Sequence, residues 1–220
     1  MIITYLIYLL LIVLLMTSLS SIFHKPISKF EEIALINGSP VYRFRIDATA
    51  VDKINTEVEN FYKRTGLAPS EEVGWNAEHL SNAFYEKDDI ELPTLTKEMS
   101  KPLEELCHKH SISPKRLSTL NDYWVNFYRP GDYQESHCHI NEGDETPFYC
   151  FTYFSKYSHG LDAPLRFHPR FAEMENSFTP EVHVGDVLLF PQTLEHSVQG
   201  QKRSGPRITV SGNIYHEDFM

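Results

Sequence analysis

Residues 128–139 read YRPGDYQESHCH and end in two histidines separated by one residue. In a β-strand, residues i and i+2 point to the same face, so the side chains of His137 and His139 can converge on one ion. A third histidine, His196, follows the run GDVLLFP of residues 185–191. A β-barrel can bring the end of that strand beside the first pair. Three imidazoles suit Fe, Zn, Cu or Ni, although spacing alone leaves a plain surface role open.

Short hydrophobic runs surround these histidines through the carboxy-terminal half. They are rich in Tyr, Phe, Val and Ile and are separated by turn residues, which is typical of a β-sandwich or barrel. The predicted strands cover residues 41–46, 122–128, 148–154, 165–167, 187–190 and 207–214. Residues 47–64 and 95–110 carry apolar side chains three and four apart, which predicts two amphipathic helices. The sequence thus predicts an α+β, mainly β fold with helices packed in front of a β-rich half.

The composition excludes several classes of protein. The 220 residues suit one domain with a sizeable core, and 41% hydrophobic and 13% aromatic residues exclude global disorder. The net charge of -10 argues against general nucleic-acid binding, which needs clustered Lys and Arg. The cysteines Cys107, Cys138 and Cys150 contain no C-x-x-C pair, so a disulfide scaffold and a Cys-type zinc finger are excluded, while one disulfide stays open.

The amino-terminal segment 1–23 carries no charge, and only Thr and Ser interrupt its apolar run from residue 2. A bilayer core needs about 20 apolar residues, so residues 2–23 are predicted to be a transmembrane helix and the protein a single-pass membrane protein. The alternatives are a signal peptide, with an apolar core at 6–16 and small residues at 18 and 20, and a buried core helix. Cleavage of residues 1–20 would release a secretory-route protein.

The two histidine-bearing segments resemble the Fe(II)- and 2-oxoglutarate-dependent dioxygenases. In the prolyl-4-hydroxylase-like branch, a Tyr and a Gly similarly precede an H-x-D pair of iron ligands. A nearer resemblance is to oxygenases inferred in phages and marine microbes. In these, H-x-H replaces H-x-D, and the carboxy-terminal part of the motif reads roughly H-x-V…R-I-S-I-S-x-N. This chain has HSV at 196–198 and RITVSGN at 207–213. The resemblance covers about residues 120–215, and a weaker resemblance begins near residues 73–75.

This resemblance implies a double-stranded β-helix (jelly-roll) core that binds Fe(II) and takes 2-oxoglutarate as co-substrate. The expected enzyme is a hydroxylase that releases succinate and CO2. Its primary substrate is not identified by the sequence, and a peptidyl side chain is one candidate. Residues 120–220 would form the catalytic core and residues 24–119 a stalk with supporting helices, preceded by the transmembrane helix.

The resemblance also assigns roles to individual residues. The implied iron ligands are His137, His139 and His196. Arg207 would clamp the distal carboxylate of 2-oxoglutarate, because a guanidinium binds a carboxylate through two parallel hydrogen bonds. Thr209 lies two residues further on the same strand face and would donate a hydroxyl bond. The other candidate 2-oxoglutarate contacts are Tyr153, Tyr128 and Asn126, with Arg166 as a second basic candidate.

His139 departs from the pattern of the prolyl-hydroxylase branch, which has an Asp at this position. With an imidazole in place of that carboxylate, the ligand set has one negative charge fewer, so weaker Fe(II) binding is expected. We expect His139 to ligate. The alternatives are that Asp144 or Glu142 reaches in from the following loop, or that iron has only two protein ligands. Cys138 is interpreted as a packing residue.

Two other functions stay open. The cupins share the double-stranded β-helix and the spacing G-x5-H-x-H, which residues 131–139 reproduce. A cupin has a glutamate shortly after the second histidine of this motif. Here Glu142 comes too early and Glu145 one residue too late to be that glutamate. A cupin also has no need for Arg207. The other alternative is a barrel that binds without catalysis, which the loss of His196 would have favoured. Hydrolysis has no support, since no nucleophile elbow is present.

Overall fold

The computed structural model describes residues 30–65, 78–79, 92–118, 123–140, 147–169 and 177–217. The helices are α1 (Ala48–Thr65) and α2 (Pro93–His110), and a short 3-10 turn covers Pro114–Arg116. The strands are β1 (Phe30–Ile36), β2 (Ser39–Arg45), β3 (Glu78–His79), β4 (Leu117–Ser118), β5 (Tyr123–Tyr128), β6 (Gln134–His137), β7 (Tyr149–Lys156), β8 (Leu165–Phe167), β9 (Asp186–Pro191), β10 (His196–Val198) and β11 (Arg207–His216).

The strands form two antiparallel sheets. The major sheet has the order β1-β2-β9-β7-β11-β5-β3, with β4 also paired to β11, and the minor sheet has the order β6-β10-β8. One apolar cluster joins the helices to the major sheet and includes Val58, Leu106 and Val210. A second cluster lies between the two sheets and includes Phe154 and Phe167. The layers are therefore helices, major sheet and minor sheet, as expected for a jelly-roll core with flanking helices.

Both predicted helices are present, with bounds close to those predicted. Asp47 begins α1 because its Oδ1 accepts hydrogen bonds from the backbone and hydroxyl of Thr49, at 3.0 and 2.6 Å. Ile54, Val58 and Phe61 then lie three and four residues apart and are buried against the sheet. The helices cover the outer face of the major sheet, so the functional residues must be sought on its other face.

The amino-terminal strands correct the stalk predicted before residue 40. Residues 30–36 form β1, which pairs with β2, and β2 continues the sheet by pairing with β9. The consecutive charges of Glu31 and Glu32 interrupt the alternation that would have marked β1 as a strand. The Nε of Arg43 on β2 binds the Glu31 carboxylate at 2.8 Å, so a cross-strand ion pair stabilises this edge.

The structure contradicts the predicted single-pass membrane localisation. No helix in the part of the chain that the structure describes combines the length and apolar character needed to cross a bilayer. The two described helices are amphipathic and lie against the sheet, which explains why neither qualifies. The apolar stretch 2–23, on which that prediction depended, lies outside the described residues.

Two of the motif residues shape the start of β9. Gly185 has φ +90°, a conformation that L side chains rarely adopt, and an added Cβ would stand 2.7 Å from Cγ2 of Val51 in α1. Asp186 is fully buried and holds Arg45 through two bonds, Oδ1 to Nε at 2.7 Å and Oδ2 to Nη2 at 2.9 Å. This turn therefore fixes β9 against α1 and β2, and β9 leads directly to His196.

No disulfide joins the three cysteines. Cys107 is buried in α2, Cys150 is buried in β7, and Cys138 is half-buried between the paired histidines. The single disulfide that the sequence left open is therefore not formed.

Candidate metal and co-substrate site

Three histidines converge at one edge of the minor sheet. His137 is the last residue of β6, and it stands directly opposite His196, the first residue of β10. His139 lies two residues beyond the end of β6, where its backbone N–H donates to the carbonyl of Gln192 at 2.9 Å. The potential ligand nitrogens of the three rings all lie within 4.8 Å of one another. The structure thus brings the predicted metal ligands together, although only His137 of the H-x-H pair is in the strand.

The hydrogen bonds of the three rings point the same nitrogen at the shared space. Nδ1 of His137 lies 2.8 Å from the Glu135 carbonyl, and Nδ1 of His196 lies 2.9 Å from the Leu194 carbonyl. Carbonyl oxygens only accept, so both Nδ1 atoms carry the proton and both Nε2 atoms are left unprotonated. Nδ1 of His139 lies 2.7 Å from Oδ1 of Asn213. Three Nε2 atoms are therefore available for one cation.

The surroundings favour the neutral form of His137 and His196. His196 is 4% exposed, and burial lowers its pKa well below the usual range, with further lowering from the neighbouring His137 and His139. Burial also lowers the pKa of His137, against an opposing effect of the Glu135 carbonyl. The neutral imidazole is the form that binds metal, so the protonation state suits a metal centre. The donor set, three nitrogens with a lone pair each, fits Fe(II) as well as other divalent transition metals.

A row of polar side chains leads along β11 to this centre. Alternate residues of a strand face opposite sides, and Val210 and Ile214 of β11 pack into the helix-side cluster. The alternate residues between and around them face the space between the sheets. They are Arg207, Thr209, Ser211 and Asn213. Because Asn213 contacts His139, this row connects the histidines to Arg207 on one inner face.

The neighbouring strand β5 adds two of the predicted co-substrate residues to this face. Tyr128 stands opposite Arg207, and Asn126 stands opposite Thr209. Nδ2 of Asn126 donates to Oγ of Ser211 at 3.1 Å and to Oγ1 of Thr209 at 3.4 Å. The structure therefore brings four of the predicted contacts together on the face of the major sheet that is turned toward the histidines.

Arg207 is a buried cation with open donors. Its side chain is 1% exposed, and its Cζ lies 4.5 Å from the ring centre of Tyr128 and 5.9 Å from those of Phe154 and Tyr157. Among the described residues, its Nε and Nη1 have no hydrogen-bond partner. Burial lowers the pKa of Arg207, and Tyr128 and Tyr157 oppose that shift. Buried donors are normally satisfied, so this guanidinium fits an anionic ligand such as the distal carboxylate of 2-oxoglutarate.

Two predicted residues point elsewhere. Tyr153 packs in the helix-side cluster, and its hydroxyl donates to Oδ1 of Asn55 on α1 at 2.9 Å. Arg166 lies between Leu165 and Phe167, which both pack between the sheets, so Arg166 points to the outer face of the minor sheet. The structure brings neither residue to the histidine site, and both assignments are corrected accordingly.

The sequence indicates that His159, His168 and His183 are polar surface or hydrogen-bonded loop residues. His159 and His183 are exposed, with ring centres 5.8 Å apart. His168 is 8% exposed instead, and its Nε2 lies 2.8 Å from Oγ of Ser197 on the neighbouring strand. His168 is therefore a buried, hydrogen-bonded loop residue directly after β8, which is the second of the two roles expected for it. The alternative ligands Asp144 and Glu142 lie outside the described residues, as does Glu145.

Several residues that face the space between the sheets were not identified from the sequence. Asn213 contacts His139, and the indole of Trp124 stacks on the His139 ring with centres 5.8 Å apart and planes at 18°. On β7, Oγ1 of Thr152 lies 3.2 Å from Oγ of Ser211. The alternation of β11 starting from Arg207 would have indicated Ser211 and Asn213. Finding Thr152 needs the pairing register between β7 and β11, which the sequence alone does not give.

Comparison with known proteins identifies the fold. No protein-family model matches the chain, and no curated protein sequence matches it. A prolyl-4-hydroxylase from Pseudomonas putida aligns over 87% of this chain and 94% of its own at 12% identity, with a TM-score of 0.58. A prolyl hydroxylase from Trichoplax adhaerens, in complex with a peptide fragment of hypoxia inducible factor, aligns over 87% and 86% at 12% identity, with a TM-score of 0.57.

A viral collagen prolyl hydroxylase from Paramecium bursaria Chlorella virus 1, in complex with 2-oxoglutarate, aligns over 85% of this chain and 96% of its own at 16% identity, with a TM-score of 0.51. At these identities the likeness shows the fold alone. The jelly-roll core that the resemblance implied is therefore confirmed, and the histidine triad could hold a metal ion. The nearer resemblance to phage and marine-microbe oxygenases stays a prediction.

Proposed function

We propose that this chain is an Fe(II)- and 2-oxoglutarate-dependent dioxygenase. The iron ligands are Nε2 of His137, His139 and His196. Arg207 holds the distal carboxylate of 2-oxoglutarate, with Thr209, Asn126 and Tyr128 beside it. One observation carries the proposal: three converging imidazoles and a buried guanidinium with open donors border the space between the two sheets of one jelly roll. These are the two binding functions that the reaction needs.

The chain's own residues prepare the site for its two ligands. The three Nδ1–H bonds fix the histidine tautomers, so the rings need no proton rearrangement before a metal binds. The aromatic rings around Arg207 exclude water from its guanidinium, which strengthens its attraction for a carboxylate. With both groups bound, the centre would supply the oxidative decarboxylation of 2-oxoglutarate to succinate and CO2, coupled to hydroxylation of a C–H bond.

We propose a peptidyl side chain as the class of primary substrate. The support is analogy with the fold neighbours: two are prolyl hydroxylases by name and a third is a collagen prolyl hydroxylase. The Trichoplax enzyme was solved with a peptide fragment of hypoxia inducible factor. The acidic net charge of this chain favours a neutral or basic peptide over a nucleic acid.

The cupin and the non-catalytic barrel account for the structure less well. Either would accommodate the three histidines. Neither gives a reason to bury an arginine whose donors remain open, since an unpaired buried charge destabilises a fold by several kcal/mol. A bound dicarboxylate gives that reason, and the oxygenase is therefore preferred.

Turnover of 2-oxoglutarate without a primary substrate tests the proposal. Many centres of this type consume the co-substrate slowly on their own, so succinate can be measured after aerobic incubation of the purified protein with Fe(II) and 2-oxoglutarate. We expect succinate from the wild type and background levels from His196→Ala. Equal succinate from both proteins would assign the turnover to free iron and contradict the proposed site.

A further inference from the structure

We propose that Asn213 is the positioning residue that makes His139 a metal ligand, by selecting the ring nitrogen that carries the proton. The inference rests on the metal site proposed above. It adds a role for a residue that is not itself a ligand, and it accounts for a histidine at a position where the prolyl-4-hydroxylase-like branch has an aspartate.

The amide of Asn213 is well placed for this role. Its Oδ1 lies 2.7 Å from Nδ1 of His139, and the residue is 5% exposed. Asn213 lies within β11, which pairs with β7 on one side through Cys150. An acceptor fixed in a central strand holds the proton on Nδ1 and leaves the lone pair of Nε2 directed at His137 and His196.

The tautomer of His139 depends on a hydrogen bond to a side chain, unlike the tautomers of His137 and His196. His137 and His196 each donate to the main-chain carbonyl two residues earlier, and a carbonyl can only accept. An amide offers either an oxygen or a nitrogen. If Nδ2 faced His139, it would select the opposite tautomer and place a proton on the nitrogen that should bind the metal.

A second donor supports the oxygen orientation. Sγ of Cys150 lies 3.5 Å from the same Oδ1 of Asn213, so the thiol and the imidazole N–H converge on one acceptor. The indole of Trp124, which is 4% exposed, stacks on the His139 ring with planes at 18°. Trp124 thus sets the plane of the ring and Asn213 sets its tautomer. A carboxylate ligand has no tautomer, so an aspartate at this position would need neither constraint.

Two substitutions in the full-length protein separate this role from a structural one. Asn213→Leu keeps approximate volume and removes the acceptor, whereas Asn213→Asp keeps an acceptor oxygen. In metal-free protein, ring ¹⁵N chemical shifts of His139 report the tautomer. We expect the Nδ1–H form in the wild type and in Asn213→Asp, and a substantial population of the Nε2–H form in Asn213→Leu.

Affinity for Co²⁺, measured by its visible absorption, gives the second readout. Loss of an outer-shell partner typically weakens metal binding about 10–100-fold, and we expect that loss for Asn213→Leu and near wild-type affinity for Asn213→Asp. Gln201→Met is the matched control, because Gln201 is also a buried amide, 2% exposed, whose Nε2 donates to Asp162 at 2.7 Å. The control should lower stability and leave the His139 tautomer and Co²⁺ affinity unchanged.

The outcomes distinguish the two proposals. If Asn213→Leu retains the Nδ1–H tautomer and wild-type Co²⁺ affinity, the role of Asn213 is wrong while the metal site stands. If the wild type itself binds neither Co²⁺ nor Fe(II), the proposed function fails, and with it the claim that Asn213 prepares a ligand. The tautomer comparison in the metal-free proteins would then still decide whether Asn213 controls the His139 ring.

Discussion

Replacing Arg207 by methionine should weaken 2-oxoglutarate binding and leave the metal site intact. Methionine retains much of the arginine side chain's volume against the rings of Tyr128, Phe154 and Tyr157, so the pocket should not collapse. It removes the two donors, Nε and Nη1, that have no partner among the described residues. The change therefore deletes the proposed carboxylate contact, together with the cation–π contact between Arg207 and Tyr128.

The size of the effect follows from those two donors. A hydrogen bond to a charged group contributes about 1.5–3 kcal/mol, so the loss of two is about 3–6 kcal/mol. At about 1.4 kcal/mol for each tenfold change, the dissociation constant for 2-oxoglutarate should rise by about two to four orders of magnitude. The ligand-free variant should be at least as stable as the wild type, because an uncompensated buried charge has been removed.

Anaerobic titration of the Fe(II)-loaded protein with 2-oxoglutarate measures the affinity, and thermal unfolding of the ligand-free protein measures the stability. Arg166→Met is the control, since Arg166 is a half-buried arginine on the outer face of the minor sheet. We expect the control to bind 2-oxoglutarate as the wild type does. Wild-type affinity in Arg207→Met, or equal losses in the two variants, would refute the carboxylate role.

Three further predictions concern single side chains. His196→Ala should abolish Fe(II) binding and succinate formation, and retained stoichiometric iron in an equilibrium-dialysis assay would contradict its assignment. His139→Asp should retain Fe(II) whereas His139→Ala should lose it; if His139→Ala binds iron as well as the wild type, a carboxylate from the following loop must replace it. Tyr153→Phe should leave 2-oxoglutarate affinity unchanged and lower the free energy of unfolding by about 1 kcal/mol, because only the hydroxyl bond to Asn55 is lost; a weaker 2-oxoglutarate affinity would return Tyr153 to the site.

Some of the candidate site residues lie together in the structure for reasons that the local sequence shows: they are close in the chain, or they lie on the same face of one strand. His137 and His139 are two residues apart, and Thr209 follows Arg207 by the same interval on β11. Alternation with a period of two is a local property of a strand, so it does not depend on how the rest of the chain folds. The placement of His196 depended instead on the resemblance, because local sequence does not say which strand lies beside β6.

Tyr153 and Arg166 show where local reasoning fails. Both are in strands that were predicted, but the face that each strand turns inward depends on its register with its neighbours. On β7, register with β11 turns Thr152 and Phe154 inward and Tyr153 toward α1. On β8, the apolar residues flanking Arg166 take the space between the sheets. A shift of one residue in the strand register would turn each side chain to the opposite face of its sheet. Only the pairing with neighbouring strands fixes that register.

The edge strand β1 was missed for a related reason. Glu31 and Glu32 are adjacent, so one carboxylate must lie on each face of the strand, which weakens the alternation signal. Arg43 binds Glu31 and so allows a charge on that face. This edge strand therefore depends on a partner in the next strand, which its own sequence does not show.

The visible spectrum of the oxygen-free complex tests the central claim most directly. A 2-oxo acid that chelates Fe(II) gives a charge-transfer band, so metal-free protein is given Fe(II) and then 2-oxoglutarate under anaerobic conditions. We predict a band that saturates with one equivalent of each and is lost in Arg207→Met at the same 2-oxoglutarate concentration. Tight metal binding without a band would favour a cupin-like metalloprotein, and no metal binding at all would leave a barrel-shaped binding module and contradict the account.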